Sequence, residues 1–184
     1  TSDTRALLCR QGFTYTSPFH DLQLCLVGMK PTLRGYHARM TSALAFHFDF
    51  ISPFGYFASL RIEELAARHG RTVQWHPMLL GVSVLKVMGL KPLLDTPLKG
   101  PYTERDVLRY AREHKVPMQR RPADPVMNPL ACGRAMAWVN HHQPQRAAEV
   151  AHAIYGAYWG RGLDLSTPES LAPLVGNELS QAAA

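Results

Sequence analysis

The feature that most constrains the fold is a passage from a strand pattern to a helix pattern through a Ser-Pro turn. In "ALAFHFDF", residues 43–50, bulky apolar residues alternate with small or polar ones, as in a strand with one strongly apolar face. Ser52 follows in the position of a helix N-cap, and Pro53 in the first helical position. The helix is predicted to run to about His69 and to end at Gly70, a residue that suits a left-handed stop.

A second strand, "RTVQWHP" (residues 71–77), is predicted after this helix. Because a helix crossover joins the two strands, we predict parallel neighbours in a βαβ unit, and hence an α/β fold. The remainder has helical patterns separated by Pro- and Gly-rich loops, with Thr103 expected as an N-cap and Asp106 as its capping-box partner. The predicted helices cover residues 78–89, 104–114, 129–142, 144–159 and 169–176.

The N-terminal part of the chain differs from the rest. Residues 1–39 show no sustained period of two or about 3.6 residues, and the periodic pattern starts directly after Met40. We therefore predict an extension outside the fold over residues 1–39, the βαβ unit over 40–78 and a helical insertion over 79–184. The alternative is an added strand or helix in the extension, for which "LQLCLV" is the candidate.

Composition and charge exclude several classes of protein. The 46% apolar and 18% charged residues are typical of a globular domain, and no apolar run approaches the roughly 20 residues of a membrane span. The net charge is +6, but basic residues are scattered and alternate with acids, as in "TERDVLRYAREH". This pattern disfavours a nucleic-acid partner, which needs a basic run or stripe.

Cysteine and histidine spacing argues against disulfides and metal. The three cysteines, Cys9, Cys25 and Cys132, are far apart and form no C-x-x-C pair, which favours a reducing, cytoplasmic compartment. The nine histidines include no H-E-x-x-H motif or other ligand spacing, so no metal site is predicted.

Two interpretations of Ser52 follow from the residues alone. A strand that ends at a helix N-terminus presents free N–H groups and the positive end of the helix dipole, which favour an anion or a thiolate. The simpler interpretation, favoured on the pattern alone, is that Ser52 caps the helix and stabilises it by about 1 kcal/mol. No basic residue adjoins the serine and no G-x-S-x-G motif is present, which disfavours an acyl-transfer nucleophile.

Three stretches resemble a known family. "FDFISPFGYFAS", "WHPMLLGVSVLKVMGLKPLLDTPLKGPY" and "YWGRGLDLSTPESL" are similar to the 2-hydroxychromene-2-carboxylate isomerases and kappa-class glutathione transferases. Those proteins have a thioredoxin fold related to bacterial disulfide oxidoreductases, whose turn carries Cys-Pro-x-Cys. Here the turn has Ser52 in place of the reactive thiol, as in the isomerases and transferases. The resemblance extends over about residues 43–175.

The resemblance implies a glutathione site. Ser52 would donate a hydrogen bond to the glutathione sulfur, with Pro53 and Phe54 lining the turn. Lys91 and Pro92 match the loop that contacts the peptide, and Lys91 together with Lys99 would hold a substrate carboxylate. The alternative for Lys91 is a solvated loop lysine.

The chain departs from the family in two ways. Leu90 stands where several relatives have asparagine, so one polar contact is lost. The family fold also closes with a cis-proline loop, two strands and a helix, none of which the sequence contains. We therefore expect a thioredoxin-like fold with a large helical insertion and without its C-terminal ββα half. Either the chain is a fragment, or a partner strand, as in a homodimer, supplies that half.

The activity implied by the resemblance is a glutathione-dependent cis–trans isomerisation in the degradation of aromatic compounds. The thiolate of glutathione adds to a conjugated aromatic carboxylate, the adduct rotates about the former double bond, and the thiol leaves. The alternatives are a kappa-class-like transferase and a non-enzymatic glutathione-binding remnant.

A chain that begins at Met40 is expected to unfold at the same thermal midpoint as the full chain, because the aperiodic segment is expected to add no packing. Thermal denaturation of the two chains, followed by circular dichroism, checks this. A midpoint several degrees lower in the shorter chain would mean that residues 1–39 contribute about 1 kcal/mol of packing, which contradicts the prediction.

Overall fold

The computed structural model describes residues 43–183, which lie within one compact unit. Strands β1 (Leu44–Phe48) and β2 (Val73–Pro77) form a two-stranded parallel sheet, and helix α1 (Pro53–Arg68) connects them. The predicted βαβ unit is therefore confirmed. The predictions for residues 1–39 fall outside the described part of the chain.

The sheet has one aromatic face and one polar face. Phe46 and Phe48 lie on the aromatic face, where the Trp75 ring meets both of them edge-on at centroid distances of 5.2 and 5.5 Å. His47 and His76, which are register partners, stack on the polar face with ring centroids 4.9 Å apart. The alternation expected for the first strand therefore corresponds to two chemically different faces.

Further helices follow the sheet in the described residues. They are α2 (Lys99–Glu113), α3 (Leu130–His142), α4 (Ala147–Tyr155), α5 (Pro168–Val175) and α6 (Asn177–Ala182). Two segments are π-helical, Gly81–Val87 and Gly156–Gly160, and two short turns are 3-10 helical, Leu93–Asp95 and Pro144–Arg146. None of the described helices is long and apolar enough to cross a membrane.

Helices α3 and α4 form the centre of the core beside the sheet. Small and medium apolar side chains are fully buried on both helices, as the side chains of Ala135, Met136, Val139, Ala151 and Ile154 show. Such side chains allow close interhelical packing. The side-chain amide of Asn140 also donates to the Trp75 carbonyl oxygen at 2.6 Å, so α3 is hydrogen-bonded directly to β2.

The predicted capping box is wrong. Helix α2 begins at Lys99, and Thr103 is buried inside it rather than at its N-cap, with Asp106 one turn further on. Gly100 accounts for the earlier start, because its backbone passes so close to Leu94 that a Cβ would lie 2.0 Å from the Leu94 carbonyl oxygen. This close approach lets the 3-10 turn Leu93–Asp95 pack on the first turn of α2.

The apolar helix predicted over residues 78–89 is also corrected. Its regular part is the π-helical segment Gly81–Val87, none of whose side chains is buried. The predicted stop at Gly89 is confirmed, since that residue has φ +66°, a conformation that glycine adopts without a Cβ clash.

Candidate functional site

The Ser52 turn joins the end of β1 to the start of α1. Ser52 has extended backbone angles, and its Oγ accepts a hydrogen bond from the Gly55 amide at 3.1 Å. Its own amide donates to the Asp49 carbonyl at 3.0 Å, and its carbonyl accepts from the Tyr56 amide at 3.1 Å. The predicted N-cap is therefore confirmed. A hydroxyl that accepts through its oxygen still has its proton to donate, and Ser52 is only partly buried.

Asp49 lies directly beneath this turn and is 3% exposed. One carboxylate oxygen accepts from the Ile51 amide at 3.1 Å, and the other accepts from the Leu80 amide at 2.6 Å. Burial raises the pKa of the carboxyl above its ordinary value, and hydrogen bonds from the amides of Leu80, Ile51 and Phe50 lower it by less. The carboxylate thus links the Ser52 turn to the chain that leaves β2.

Two aromatic side chains support the turn from behind. The Tyr155 hydroxyl donates to the Asp49 carbonyl at 3.0 Å, and the Trp159 indole donates to the Phe50 carbonyl at 2.9 Å. Both side chains are buried, so each polar tip has the partner that a buried tyrosine or tryptophan needs. Trp159 and its neighbour Tyr158 are both core residues.

Gly55 occupies the fourth position of the turn, where the redox relatives carry their second cysteine. A Cβ at this position would lie 2.5 Å from the Tyr155 hydroxyl oxygen and 3.3 Å from the Asp49 carbonyl oxygen. Because the hydroxyl is itself buried and hydrogen-bonded, it has little freedom to move away. The turn therefore has no room for a dithiol pair.

Cys132, the cysteine within the described residues, is not a reactive thiol. It is fully buried in α3, and burial together with the nearby Asp49 charge raises the pKa of its thiol to about 12. A reactive cysteine needs a lowered pKa and some exposure. Cys132 has neither property.

The predicted site residues fall into two groups. Ser52, Pro53 and Phe54 are contiguous at the start of α1. Lys91 and Lys99 are exposed and lie on either side of the 3-10 turn that packs on α2. Among the described residues, no hydrogen bond or ion pair joins either lysine to the turn, so their ligand roles stay predictions.

Pro92 is likewise exposed, and its carbonyl accepts from the Thr96 hydroxyl at 3.3 Å. This bond orders the loop between the two lysines locally. In the described part of the chain, no group of three or more His, Cys, Asp or Glu side chains could hold a metal ion.

The sequence interpretation missed Asp49 and Tyr155 as parts of the site. Asp49 belongs to the polar side of the strand alternation, which predicts an exposed residue, yet it is buried because two amides enclose its carboxylate. Its position directly before the turn was the available signal. Tyr155 had no comparable signal, because its hydrogen bond reaches a residue 106 positions away.

Replacement of Gly55 by alanine is expected to lower the free energy of unfolding by about 1–3 kcal/mol, because the added methyl overlaps the Tyr155 hydroxyl. Gly156→Ala is the control, since nothing lies within 4 Å of its Cβ position, and it should be neutral or stabilise by roughly 0.5–1 kcal/mol. The double variant Gly55→Ala/Tyr155→Phe should recover part of the loss in urea denaturation. Simple additivity of the two losses would contradict the proposed overlap.

The stability that Asp49 contributes is expected to fall as pH rises. The pKa of its carboxyl is higher in the folded chain than its ordinary 3.8, so the contribution is greatest below that value and is lost as the buried group ionises. The free energy of unfolding of the protein and of Asp49→Asn is measured from below pH 3.8 upward. The difference between the two at each pH gives the contribution of the Asp49 carboxyl. A difference that grows with pH would mean that the two amides outweigh burial.

Comparison with known proteins shows which family this chain belongs to. The chain is 31% identical over 137 residues to a 2-hydroxychromene-2-carboxylate isomerase of Pseudomonas putida, over 73% of this chain and 64% of that protein. It is 30% identical over 126 residues to the Sphingobium xenophagum protein of the same name, over 68% of this chain and 62% of that one. The chain thus spans less than two thirds of the length of these curated relatives.

A solved structure and a family model agree with these relatives. The structure of a selenomethionine 2-hydroxychromene-2-carboxylate isomerase superposes with a TM-score of 0.58 at 25% identity, covering 76% of this chain and 68% of that one. The sequence resemblance and the thioredoxin-like fold are therefore confirmed. The model of the DSBA-like thioredoxin domain matches residues 43–179, and the chain belongs to the family of DSBA-like thioredoxin domains.

Proposed function

We propose that this chain carries the sulfur-binding part of a glutathione-dependent isomerase of the 2-hydroxychromene-2-carboxylate type. The observation that carries the proposal is the Ser52 hydroxyl, whose oxygen accepts from the Gly55 amide at the positive end of α1. This bond uses the hydroxyl oxygen as acceptor and leaves the hydroxyl proton available for donation to an anion. The names of the relatives supply the reaction and the substrate class, a small aromatic carboxylate.

The residues present fit a thiolate at this turn. The helix N-terminus favours negative charge, and a serine hydroxyl donates a hydrogen bond without adding charge of its own. Pro53 and Phe54, the two residues that follow Ser52, are apolar and only partly buried. A charged cysteine at position 52 would instead repel a second thiolate.

Glutathione, when bound, would supply a nucleophilic sulfur for reversible addition to the conjugated acid. Ser52 and the amide end of α1 hold the sulfur as an anion, which keeps it nucleophilic near neutral pH. Lys91 and Lys99 are both exposed and would attract the substrate carboxylate. An orienting contact of this kind makes the addition effectively intramolecular.

The second candidate is a glutathione-binding module without turnover, or a kappa-class-like transferase. Within residues 43–183, neither lysine has a hydrogen bond or ion pair to the Ser52 turn, and all three functions are compatible with this. Glutathione affinity is common to all three functions, whereas turnover of 2-hydroxychromene-2-carboxylate belongs to the isomerase alone. An assay of that turnover therefore separates them.

Ser52→Asp is expected to keep the thermal midpoint but to weaken glutathione binding at least tenfold. An aspartate caps a helix as well as serine does, whereas its charge repels the thiolate and the lost charge-assisted hydrogen bond is worth about 1.5–3 kcal/mol. Ser52→Ala should lose both the cap and the binding. Titration calorimetry with glutathione measures the affinity of each variant.

The matched control is Thr167→Ala, which removes the corresponding cap of α5, where the threonine hydroxyl accepts from the Ser170 amide at 3.4 Å. This variant should lose a similar amount of stability and keep its affinity for glutathione. Unchanged affinity in Ser52→Asp would show that Ser52 is only a cap. Absence of glutathione binding by the unsubstituted chain would overturn the proposed function.

A further inference from the structure

An exposed apolar segment begins beside the Ser52 turn. It starts where the chain leaves β2, passes through the π-helical stretch Gly81–Val87 and ends at the start of α2. Its large side chains face solvent to an unusual degree, with Val87, Met88 and Leu98 exposed by 76%, 63% and 88%. Exposed apolar side chains concentrated in one segment are typical of interaction and ligand-binding surfaces.

A single carboxylate joins this segment to the turn. Asp49 Oδ2 accepts from the Leu80 amide at 2.6 Å, and Asp49 Oδ1 accepts from the Ile51 amide at 3.1 Å. Within the described residues, no other hydrogen bond connects the chain between residues 80 and 91 to the turn. The preceding contact, from the Met78 amide to the Phe48 carbonyl at 2.8 Å, belongs to the end of the sheet.

Asp49 accepts hydrogen bonds both through its carboxylate and through its main-chain carbonyl. Its two carboxylate oxygens receive amides from two different chain segments, and its own carbonyl receives the Ser52 amide at 3.0 Å and the Tyr155 hydroxyl at 3.0 Å. A movement of the Leu80 segment therefore acts on the backbone that sets the Ser52 hydroxyl. Each hydrogen bond to a carboxylate oxygen reduces the cost of burying the charged group.

We propose that Asp49 is a positioning residue, which fixes the apolar segment that begins at Leu80 against the Ser52 turn so that the segment forms a wall of the sulfur site. The wall is apolar, with Val82 and Leu85 partly exposed on its first turn and Lys86 beside them. It suits the aromatic body of a carboxylate whose reactive carbon must meet the sulfur. The catalytic consequence rests on the proposed function, whereas the positional claim does not.

Hydrogen exchange tests the positional claim directly. In Asp49→Ala, the Leu80 amide is expected to exchange about tenfold faster or more, relative to the Val139 amide in the buried core of α3. Asp49→Asn keeps the side-chain volume and one acceptor oxygen, so it provides a folded variant with one of the two bonds lost. Unchanged relative exchange of both Leu80 and Ile51 in these variants would overturn the proposal.

Asp106→Ala is the matched control. Asp106 is also a buried aspartate, 4% exposed, but its carboxylate pairs with Arg109 at 2.6 Å on α2. Its loss should destabilise the fold and leave the ratio of Leu80 to Val139 exchange unchanged. If Asp106→Ala changes that ratio as much as Asp49→Ala does, the effect is general loosening and the positional claim fails.

Kinetics test the consequence for catalysis. Asp49→Asn is expected to lower kcat for 2-hydroxychromene-2-carboxylate about tenfold or more while KM for glutathione changes less than about threefold, because a misplacement of roughly 1 Å can cost about 100-fold in rate. Ser52→Ala should raise KM for glutathione and leave Leu80 exchange unchanged. Parallel losses in kcat and glutathione affinity in Asp49→Asn would overturn the positioning role. Absence of 2-hydroxychromene-2-carboxylate turnover by the unsubstituted chain would overturn the proposed function. The exchange experiment would then still test whether Asp49 fixes the Leu80 segment against the turn.

Discussion

The buried carboxylate of Asp49 is the constraint on which the arrangement of the site depends. A carboxylate without partners could not remain at 3% exposure, because the loss of hydration would force its protonation or its exit from the core. The Ile51 and Leu80 amides supply the partners, and they come from the two chain segments that must meet at the end of the sheet. The requirement to satisfy one charged group thus determines where the Ser52 turn ends and where the apolar segment begins.

The aromatic side chains of the α4 region complete this constraint from the other side. Tyr155 and Trp159 donate to consecutive carbonyls, those of Asp49 and Phe50. Tyr155 is the last residue of α4, and Trp159 lies in the π-helical stretch Gly156–Gly160 that follows it. A π-helical turn changes the angular spacing of side chains and occurs often at functional sites. The turn is therefore held by backbone acceptors whose donors come from a distant helix, and its shape does not depend on local sequence alone.

Sequence patterns predicted the features that are determined by residues close together in the chain. The strand alternation, the Ser52 cap and the Gly89 stop follow from near neighbours, and the parallel βαβ pair follows from the helix crossover between the strands. The structure confirms each of them. The predicted start of α2, at Thr103, was wrong because Gly100 packs against the Leu94 carbonyl. Capping rules do not anticipate such a contact. The resemblance of short motifs gave the family, whereas Tyr155 was found only through its tertiary hydrogen bond.

The same tertiary contact explains why this turn presents one hydroxyl and not two thiols. Position 55 has no space for a side chain, because the Tyr155 hydroxyl that supports the Asp49 carbonyl occupies it. A second cysteine there would displace the tyrosine and remove a support of the turn. With a neutral donor at position 52 and no partner thiol at position 55, the positive end of α1 remains available to charge brought by a ligand. The packing behind the turn thereby disfavours a pair of cysteines at positions 52 and 55.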